Sequence, residues 1–264
     1  MAACRVGRRL GRPVRTSLLL PTYNEALNLP KLVVALRSLG LRLDILVVDD
    51  ASPDGTGRIA EGLGAGHSDL AVLHRSGRRG YGEALTDGFR LALARGASAV
   101  VTMDCDFSHD PADVPRLLSA LEDVDLVIGS RYAHGGQLHA WPLYRRLLSA
   151  SANAFVRVLF RLPARDCTSG FRAYRREVLE AIPWTGLHSS GYSFLVEVLY
   201  WASRDPELRL RELPICFTER REGKSKMGLR EIVGGASNLL KLRAELAVRS
   251  RPRPGADSGR SSTR

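Results

Sequence analysis

The chain has 264 residues, of which 44% are hydrophobic and 25% charged, and its formal net charge at pH 7 is +11. This length suits one large domain or two small ones, and the composition is typical of globular proteins, which excludes a mainly disordered or collagen-like chain. No apolar run is long enough to predict a transmembrane helix, and no apolar N-terminal segment predicts a signal peptide.

Strands and helices are predicted to alternate over the first half of the chain. Short apolar runs predict strands, and segments with apolar residues at helical spacing predict the helices between them. The predicted strands are residues 16–20, 44–48, 70–73, 99–103 and 125–128, and the predicted helices are residues 24–39, 56–63, 80–95 and 111–121. This order predicts an α/β fold, a doubly wound Rossmann-like parallel sheet with helices on both faces.

The second half of the chain has a different pattern. It predicts helices over residues 141–160, 191–203 and 231–248, a further helix after residues 169–174, and a strand over residues 208–215. A basic loop with two glycines, residues 219–228 (ERREGKSKMG), precedes the last predicted helix.

Polar clusters follow three of the predicted strands. They are residues 21–25 after the first strand, 49–54 after the second and 104–109 after the fourth. In open α/β sheets, ligands bind outside the carboxyl ends of the strands. The sequence therefore predicts a ligand site at that edge of the sheet.

Asp104 and Asp106 are the strongest candidates for metal ligands. Two carboxylates in an i, i+2 pair at a strand end can converge on one hard cation, and Mg²⁺ and Mn²⁺ prefer oxygen ligands that bridge to a diphosphate. An isolated pair of this kind is more often a solvated turn. Asp49 and Asp50, at the end of the second strand, also have two interpretations. They belong either to a turn that caps the next helix or to a site where a ribose hydroxyl, a base edge or a metal is their partner.

Cationic side chains form the counterpart to these acids. Arginine binds phosphate through a bidentate fork and lysine acts as a point charge, so they could bind a diphosphate, with the basic loop closing over it. A solvated basic loop is the alternative. The candidates are Arg131, Arg145, Arg220, Arg221, Lys224 and Lys226. The phosphate-binding and dinucleotide-binding glycine motifs, the GxSxG elbow and the HExxH pattern are absent from the sequence.

Most of the net charge is at the two ends of the chain. Residues 1–15 contain five arginines and no acid, and residues 249–264 contain five arginines and one aspartate. Both segments have the composition of disordered tails, for which attraction to anionic lipid, nucleic-acid binding and simple solubilisation are the three interpretations. The nearly neutral remainder offers no broad basic face, so nucleic acid is not an expected partner.

Taken in order, the motifs resemble those of the inverting glycosyltransferases of family 2, which have the GT-A fold, a mixed, mostly parallel sheet flanked by helices. The first four are PTYNE (21–25), VVDDASPDGT (47–56), MDCDFSHDP (103–111) and GSRY (129–132). Later segments narrow the resemblance to the dolichyl- or polyprenyl-phosphate mannosyltransferases: WPLYRRLLS (141–149), DCTSGFRAYRREVLE (166–180), GYSFLVEVLY (191–200) and the basic loop.

This resemblance implies transfer of mannose from GDP-mannose to a dolichyl or polyprenyl phosphate, giving a β-mannosyl phospholipid. It implies that Asp104 and Asp106 hold a divalent metal, Mg²⁺ or Mn²⁺, and that Asp106 and Arg131 act in catalysis. It implies that Arg145 and Ser149 bind the acceptor phosphate and that residues 135–137 form a mobile acceptor loop. The implied donor-binding residues are Pro21, Tyr23, Glu25, Val48, Asp50, Asp104, Cys105, Arg220 and Lys226.

Three positions depart from the family pattern. Ala51 replaces a common glycine, Cys105 replaces a common alanine, and Ser108 stands where some members have a glutamine that reaches the metal. The alternatives are a related family 2 transferase that uses UDP-glucose or another acceptor, and a nucleotide-sugar-binding or scaffold protein without turnover.

Organisation and location follow from the same resemblance. We expect one GT-A domain over residues 16–248 between disordered basic tails over residues 1–15 and 249–264. We also expect a cytoplasmic protein, peripheral on the cytoplasmic face of a membrane and without a transmembrane segment, with a separate membrane-anchoring partner as a possibility. The last helix and the tails are the expected docking elements.

Overall fold

In the computed structural model, the described residues are 15–77, 80–187, 191–219 and 239–244. The chain divides into two compact units, Met1–Lys226 and Met227–Arg264, and residues 239–244 of the second unit are helical. The tails, apart from Arg15, and most of the predicted basic loop and last helix lie outside the described residues. The single domain over residues 16–248 and its two tails stay a prediction.

A seven-stranded mixed sheet forms the centre of the first unit. Its strand order is β3-β2-β1-β4-β7-β5-β8, and all strands are parallel except β7, which is antiparallel to both of its neighbours. The strands are β1 (Thr16–Thr22), β2 (Leu43–Asp49), β3 (Leu70–His74), β4 (Ala99–Thr102), β5 (Leu126–Ser130), β7 (Arg172–Arg175) and β8 (Leu210–Pro214). The short strands β6 (Gln137–His139) and β9 (Cys216–Thr218) form a separate parallel pair.

Helices cover the sheet and connect its strands. They are α1 (Leu29–Arg37), α2 (Thr56–Gly64), α3 (Tyr81–Ala94), α4 (Val114–Ala120), α5 (Leu143–Phe160), α6 (Arg176–Glu180) and α7 (Tyr192–Ala202), with 3₁₀ turns at Pro111–Asp113 and Trp184–Gly186. Among the described residues, no helix combines the length and hydrophobicity needed to span a bilayer. The α/β architecture predicted from the sequence is confirmed.

Burial on both faces explains why the central strands read as continuous apolar runs. Leu18, Leu19 and Leu20 of β1 and Val47 of β2 are all 0% exposed. Strands of a parallel sheet covered by helices on both sides have no polar face. An alternating pattern would leave polar side chains under a helix.

Strand β7 has no apolar run, and sequence analysis assigned no strand to it. Its first residue, Arg172, is 0% exposed, and its guanidinium donates hydrogen bonds to the carbonyl oxygens of Ser169 (2.7 Å), Cys167 (2.7 Å) and Leu195 (3.0 Å). A buried charge is tolerated where its donors are satisfied in this way. The strand therefore combines local contacts with remote ones, namely Leu195 and the neighbouring strands β4 and β5.

The strand directions collect the polar segments at one edge of the sheet. Because β1, β2, β4, β5 and β8 are parallel, their carboxyl ends lie on the same side. The neighbours β2, β1 and β4 end in the segments 49–54, 21–25 and 104–109. Strand β5 ends next to Arg131, and β8 leads into β9.

Candidate functional site

The three loops at this edge share an unusual backbone conformation. Asn24, Ala51 and Phe107 have φ values of 61°, 58° and 59°, in the left-handed region that residues with a side chain rarely adopt. Such strain persists only where the surroundings impose it, and it clusters at ligand sites. It also accounts for the glycine that the resemblance leads us to expect at the position of Ala51.

Hydrogen bonds join the loops that follow β1 and β2. The backbone N–H of Asn24 donates to Ser52 Oγ (3.1 Å), and that of Glu25 donates to Thr56 Oγ1 (2.9 Å). These contacts form a stable rim where the predicted donor residues Pro21, Tyr23 and Glu25 are half-buried. Val48 is 0% exposed, and its carbonyl oxygen accepts a hydrogen bond from Thr22 Oγ1, so no part of it is open to a ligand in this state.

Asp50 is paired with an arginine that sequence analysis did not identify. The Arg75 guanidinium contacts Asp50 Oδ1 and donates to Asp87 (3.0 Å), and the backbone N–H of Gly80 donates to Asp50 Oδ2 (2.8 Å). The side chains of Asp50 and Arg75 are only 6% and 3% exposed. The sequence predicted that a base edge, a ribose hydroxyl or a metal would pair with this acid. In the structure its partner is Arg75.

Asp104 and Asp106 extend from the end of β4 into the same region. Tyr81 Oη donates to Asp104 Oδ1 (3.2 Å), and the backbone N–H of Ser108 donates to Asp106 Oδ1 (3.0 Å). Gly170 allows the first contact, because a Cβ there would lie 2.4 Å from Tyr81 Oη. Burial, together with the charges of Glu25, Asp106 and Asp104, raises the pKa of Cys105 well above its ordinary value.

These residues suit a divalent cation. The Oγ of Ser108 is buried without a hydrogen-bond partner among the described residues, in the loop that carries both aspartates. Within those residues there is no group of three His, Cys, Asp or Glu side chains able to hold a metal. The donor set is therefore two carboxylates with an unpartnered hydroxyl nearby, which would leave coordination positions for diphosphate oxygens and water.

His109 contacts the loop that carries Asp104 and Asp106. Its Nδ1 accepts a hydrogen bond from the backbone N–H of Asp104 (3.2 Å), and the ring stacks on Phe171 with a centroid distance of 5.0 Å. Burial lowers the pKa of His109, although Asp104 and Asp106 oppose this shift. His109 therefore contacts the backbone of the acidic pair directly.

Asp166 fixes Arg131 after β5. The Nε and Nη2 atoms of Arg131 donate to the Asp166 carboxylate (2.8 and 2.7 Å), and its backbone N–H adds a third hydrogen bond (3.0 Å). Burial alone would raise the pKa of Asp166, but the charge and hydrogen bonds of Arg131 outweigh it and lower that pKa. Asp166 begins the segment 166–180, which contributes to the family resemblance, but the resemblance implied no role for this residue.

Arg145 and Ser149 lie one helical turn apart on α5. The Arg145 guanidinium lies 4.1 Å from the ring centroid of Trp141, and its Nη1 donates to Glu219 Oε1 (2.6 Å). Ser149 Oγ accepts a hydrogen bond from Tyr132 Oη (2.7 Å), next to Arg131. The structure thus links this helix to the end of β5, and an anion at Arg145 would compete with Glu219.

Two of the predicted donor-binding residues, Arg220 and Lys226, lie outside the described residues. So do Arg221 and Lys224 of the same basic loop. The predicted acceptor loop, residues 135–137, forms a turn in which the backbone N–H of Gly136 donates to Ala133 O (2.8 Å) and Gln137 begins β6.

Comparison with known proteins identifies the family of this chain. Residues 17–182 match the family described as Glycosyl transferase family 2. The chain is 45% identical over 215 residues, 81% of each chain, to a polyprenol monophosphomannose synthase from Mycolicibacterium smegmatis. It is 43% identical over 214 residues, 81% of this chain and 88% of the relative, to an undecaprenyl-phosphate mannosyltransferase from Micrococcus luteus.

A solved structure supports the fold. The mannosyltransferase PcManGT from Pyrobaculum calidifontis, in complex with GDP-Man and Mn²⁺, superposes with a TM-score of 0.58 at 20% identity over 92% of this chain and 67% of its own. The GT-A architecture expected from the sequence is confirmed. The chain belongs to glycosyl transferase family 2 and is similar, over most of its length, to enzymes that mannosylate polyprenyl phosphates.

Proposed function

We propose that this protein transfers mannose from GDP-mannose to a polyprenyl phosphate, with inversion at the sugar. The observation that carries the proposal is the set of groups at one sheet edge: the acidic pair after β4, Arg131 after β5, and Arg145 with Ser149 on α5. Two relatives with identities of 45% and 43% are named for mannosyl transfer to such lipids.

The proposed donor site lies between the loops of β1, β2 and β4. Tyr23 and Glu25 would contact the nucleoside. Asp50, held by Arg75 and Gly80, belongs to the donor site on the resemblance. Asp104 and Asp106 would hold Mg²⁺ or Mn²⁺, which supplies charge neutralisation at the diphosphate. Arg220 and Lys226 belong to this proposal on the resemblance alone.

The proposed acceptor site explains why no general base is needed. The phosphate of the lipid is already anionic near neutral pH. One of its oxygens would attack C1 of mannose while the bond from C1 to the GDP oxygen breaks, which yields GDP and a β-mannosyl phosphate. Arg145 and Ser149 would orient the acceptor, and Arg131, fixed by Asp166, would face the negative charge.

Transfer assays with purified protein test this function. Incubation with GDP-mannose, Mg²⁺ or Mn²⁺ and a short polyprenyl phosphate should give a β-mannosylated lipid phosphate, identified by mass spectrometry and by NMR of the anomeric proton. UDP-glucose in the same assay tests the alternative donor. Glucosyl product without mannosyl product would contradict our choice of donor, and no product with either donor would contradict transfer to this acceptor.

One face of α5 supports the proposal that this protein acts at a membrane surface. Its apolar side chains point to solvent at helical spacing: Leu143 (71% exposed), Tyr144 (72%), Leu147 (59%), Phe155 (44%) and Val158 (77%). The helix contains three arginines and no acid. An apolar face beside basic residues fits the interface of an anionic bilayer. The same helix carries the proposed acceptor-phosphate residues, so docking would bring them to the lipid.

Replacing Leu147 and Val158 together by glutamine should lower the partition coefficient onto phosphatidylglycerol vesicles about tenfold or more, because two apolar side chains no longer insert. Co-sedimentation measures this change, and transfer to a short water-soluble acceptor should stay near the wild-type rate. The matched control replaces Leu27 and Val34, which are 66% and 62% exposed near α1, by glutamine. Equal loss of binding in both variants would contradict a specific role for α5.

Peripheral location on the cytoplasmic face, docking through the tails, and a separate membrane-anchoring partner remain further parts of this proposal. Vesicle binding by chains that lack residues 1–15 and 249–264 would separate the contribution of the tails from that of α5.

A further inference from the structure

Phe217 lies where three parts of the proposed site meet. It is the central residue of β9 and is paired with Leu138 of β6. Its ring packs edge-to-face on His109 (centroids 5.4 Å apart) and on Trp141 (5.6 Å). The Arg131 guanidinium carbon lies 5.4 Å from the centroid of the same ring.

Each of these neighbours supports a different functional group. His109 accepts a hydrogen bond from the backbone N–H of Asp104, so it borders the loop proposed to bind the metal. Arg131 is the cation paired with Asp166. Trp141 lies against the guanidinium of Arg145, 4.1 Å from its ring centroid. One aromatic side chain therefore lies between the supports of the proposed metal, leaving-group and acceptor sites.

The backbone of β9 is held independently of this ring. The N–H of Thr218 donates to Ser108 O (3.2 Å), and the N–H of Gln137 donates to Ile215 O (3.0 Å). Phe217 is half-buried, whereas the neighbouring Cys216 is exposed. Removing the ring should therefore disturb the three groups around it more than the fold.

We propose that Phe217 is a positioning residue that sets the spacing between the acidic pair and the two arginines. This inference rests on the proposed function. The attractions of an aromatic face for a cation and of aromatic edges for one another are individually modest. Their effect is geometric, because an error of about 1 Å in the placement of reacting groups can lower a rate about 100-fold.

Steady-state kinetics of variants at this position test the proposal. Phe217→Leu keeps the apolar character but removes the ring, so kcat should fall about 10- to 100-fold while KM for the donor changes little. Phe217→Tyr and Phe217→Trp keep an aromatic face and should recover most of kcat. Cys216→Ser, at the adjacent exposed position of the strand, should behave as wild type. Thermal unfolding midpoints of all variants are measured in parallel.

Three outcomes would overturn the inference. These are wild-type kcat in Phe217→Leu, an equal loss in the tyrosine and tryptophan variants, and a loss of rate that matches the loss of folded protein. The wild-type assay separates this inference from the proposed function. Wild-type protein that makes no mannosylated lipid contradicts the function itself, whereas active wild type with an equally active leucine variant contradicts only the role of Phe217.

Discussion

Replacing Asp106 by asparagine should lower kcat for mannosyl transfer about 1000-fold, which corresponds to about 4 kcal/mol in the barrier. Asp106 is 3% exposed, and its Oδ1 accepts the backbone N–H of Ser108. An asparagine Oδ1 can keep that hydrogen bond, so the loop should stay folded. What the variant loses is a negative charge that would hold the cation against the departing diphosphate. The effect should therefore appear mainly in kcat.

Asp110→Asn is the matched control for this prediction. Asp110 is an exposed residue of the same loop whose side chain accepts the backbone N–H of Ala112, and it lies at the start of the 3₁₀ turn. The Asp110→Asn variant makes the same chemical change as Asp106→Asn. It should leave kcat within about twofold of wild type, as surface substitutions usually do. Calorimetric titration with Mn²⁺ in the presence of GDP should show weaker binding in Asp106→Asn. Wild-type turnover in Asp106→Asn with metal present would show that the metal assignment is wrong.

Replacing Arg75 by methionine should lower the free energy of unfolding by about 3–5 kcal/mol, because it leaves a buried carboxylate without its cation. Arg75 contacts Asp50, Asp87 and Glu83, and its side chain is 3% exposed. Methionine fills much of the space but donates no hydrogen bond. Urea denaturation monitored by circular dichroism measures the change, and weaker GDP binding should accompany it because Asp50 loses its support.

Two further variants make the Arg75 prediction specific. Arg90→Met removes an arginine that is 52% exposed and lies 3.9 Å from Asp87, so it should cost less than about 1 kcal/mol. Asp50→Asn added to Arg75→Met removes the uncompensated charge and should restore part of the loss. If Arg75→Met and Arg90→Met unfold at the same urea concentration, the buried pair does not have the importance given to it here.

The central strands and the acidic segments could be predicted because their signals are local. Buried parallel strands require apolar runs, and the acids after β4 follow directly in the chain. Strand β7 could not be predicted in this way, because it has no apolar run and begins with an arginine. Arg172 can be buried there because its guanidinium donates to carbonyl oxygens of Cys167, Ser169 and Leu195. Strands β6 and β9 have three residues each, too few for a period to be recognised.

The sequence alone was sufficient to predict the fold class and the family of this protein. The α/β order, the acidic pair at the end of β4 and the family motifs are all encoded in short segments. The tertiary structure decided which charges meet. Arg75 and Asp50 are 25 residues apart and Arg131 and Asp166 are 35 apart, and neither pair belongs to a motif that specifies its partner. The first pairing depends on the contact between β2 and β3. The second depends on the insertion of β7 between β4 and β5, which only the packing of the whole sheet determines.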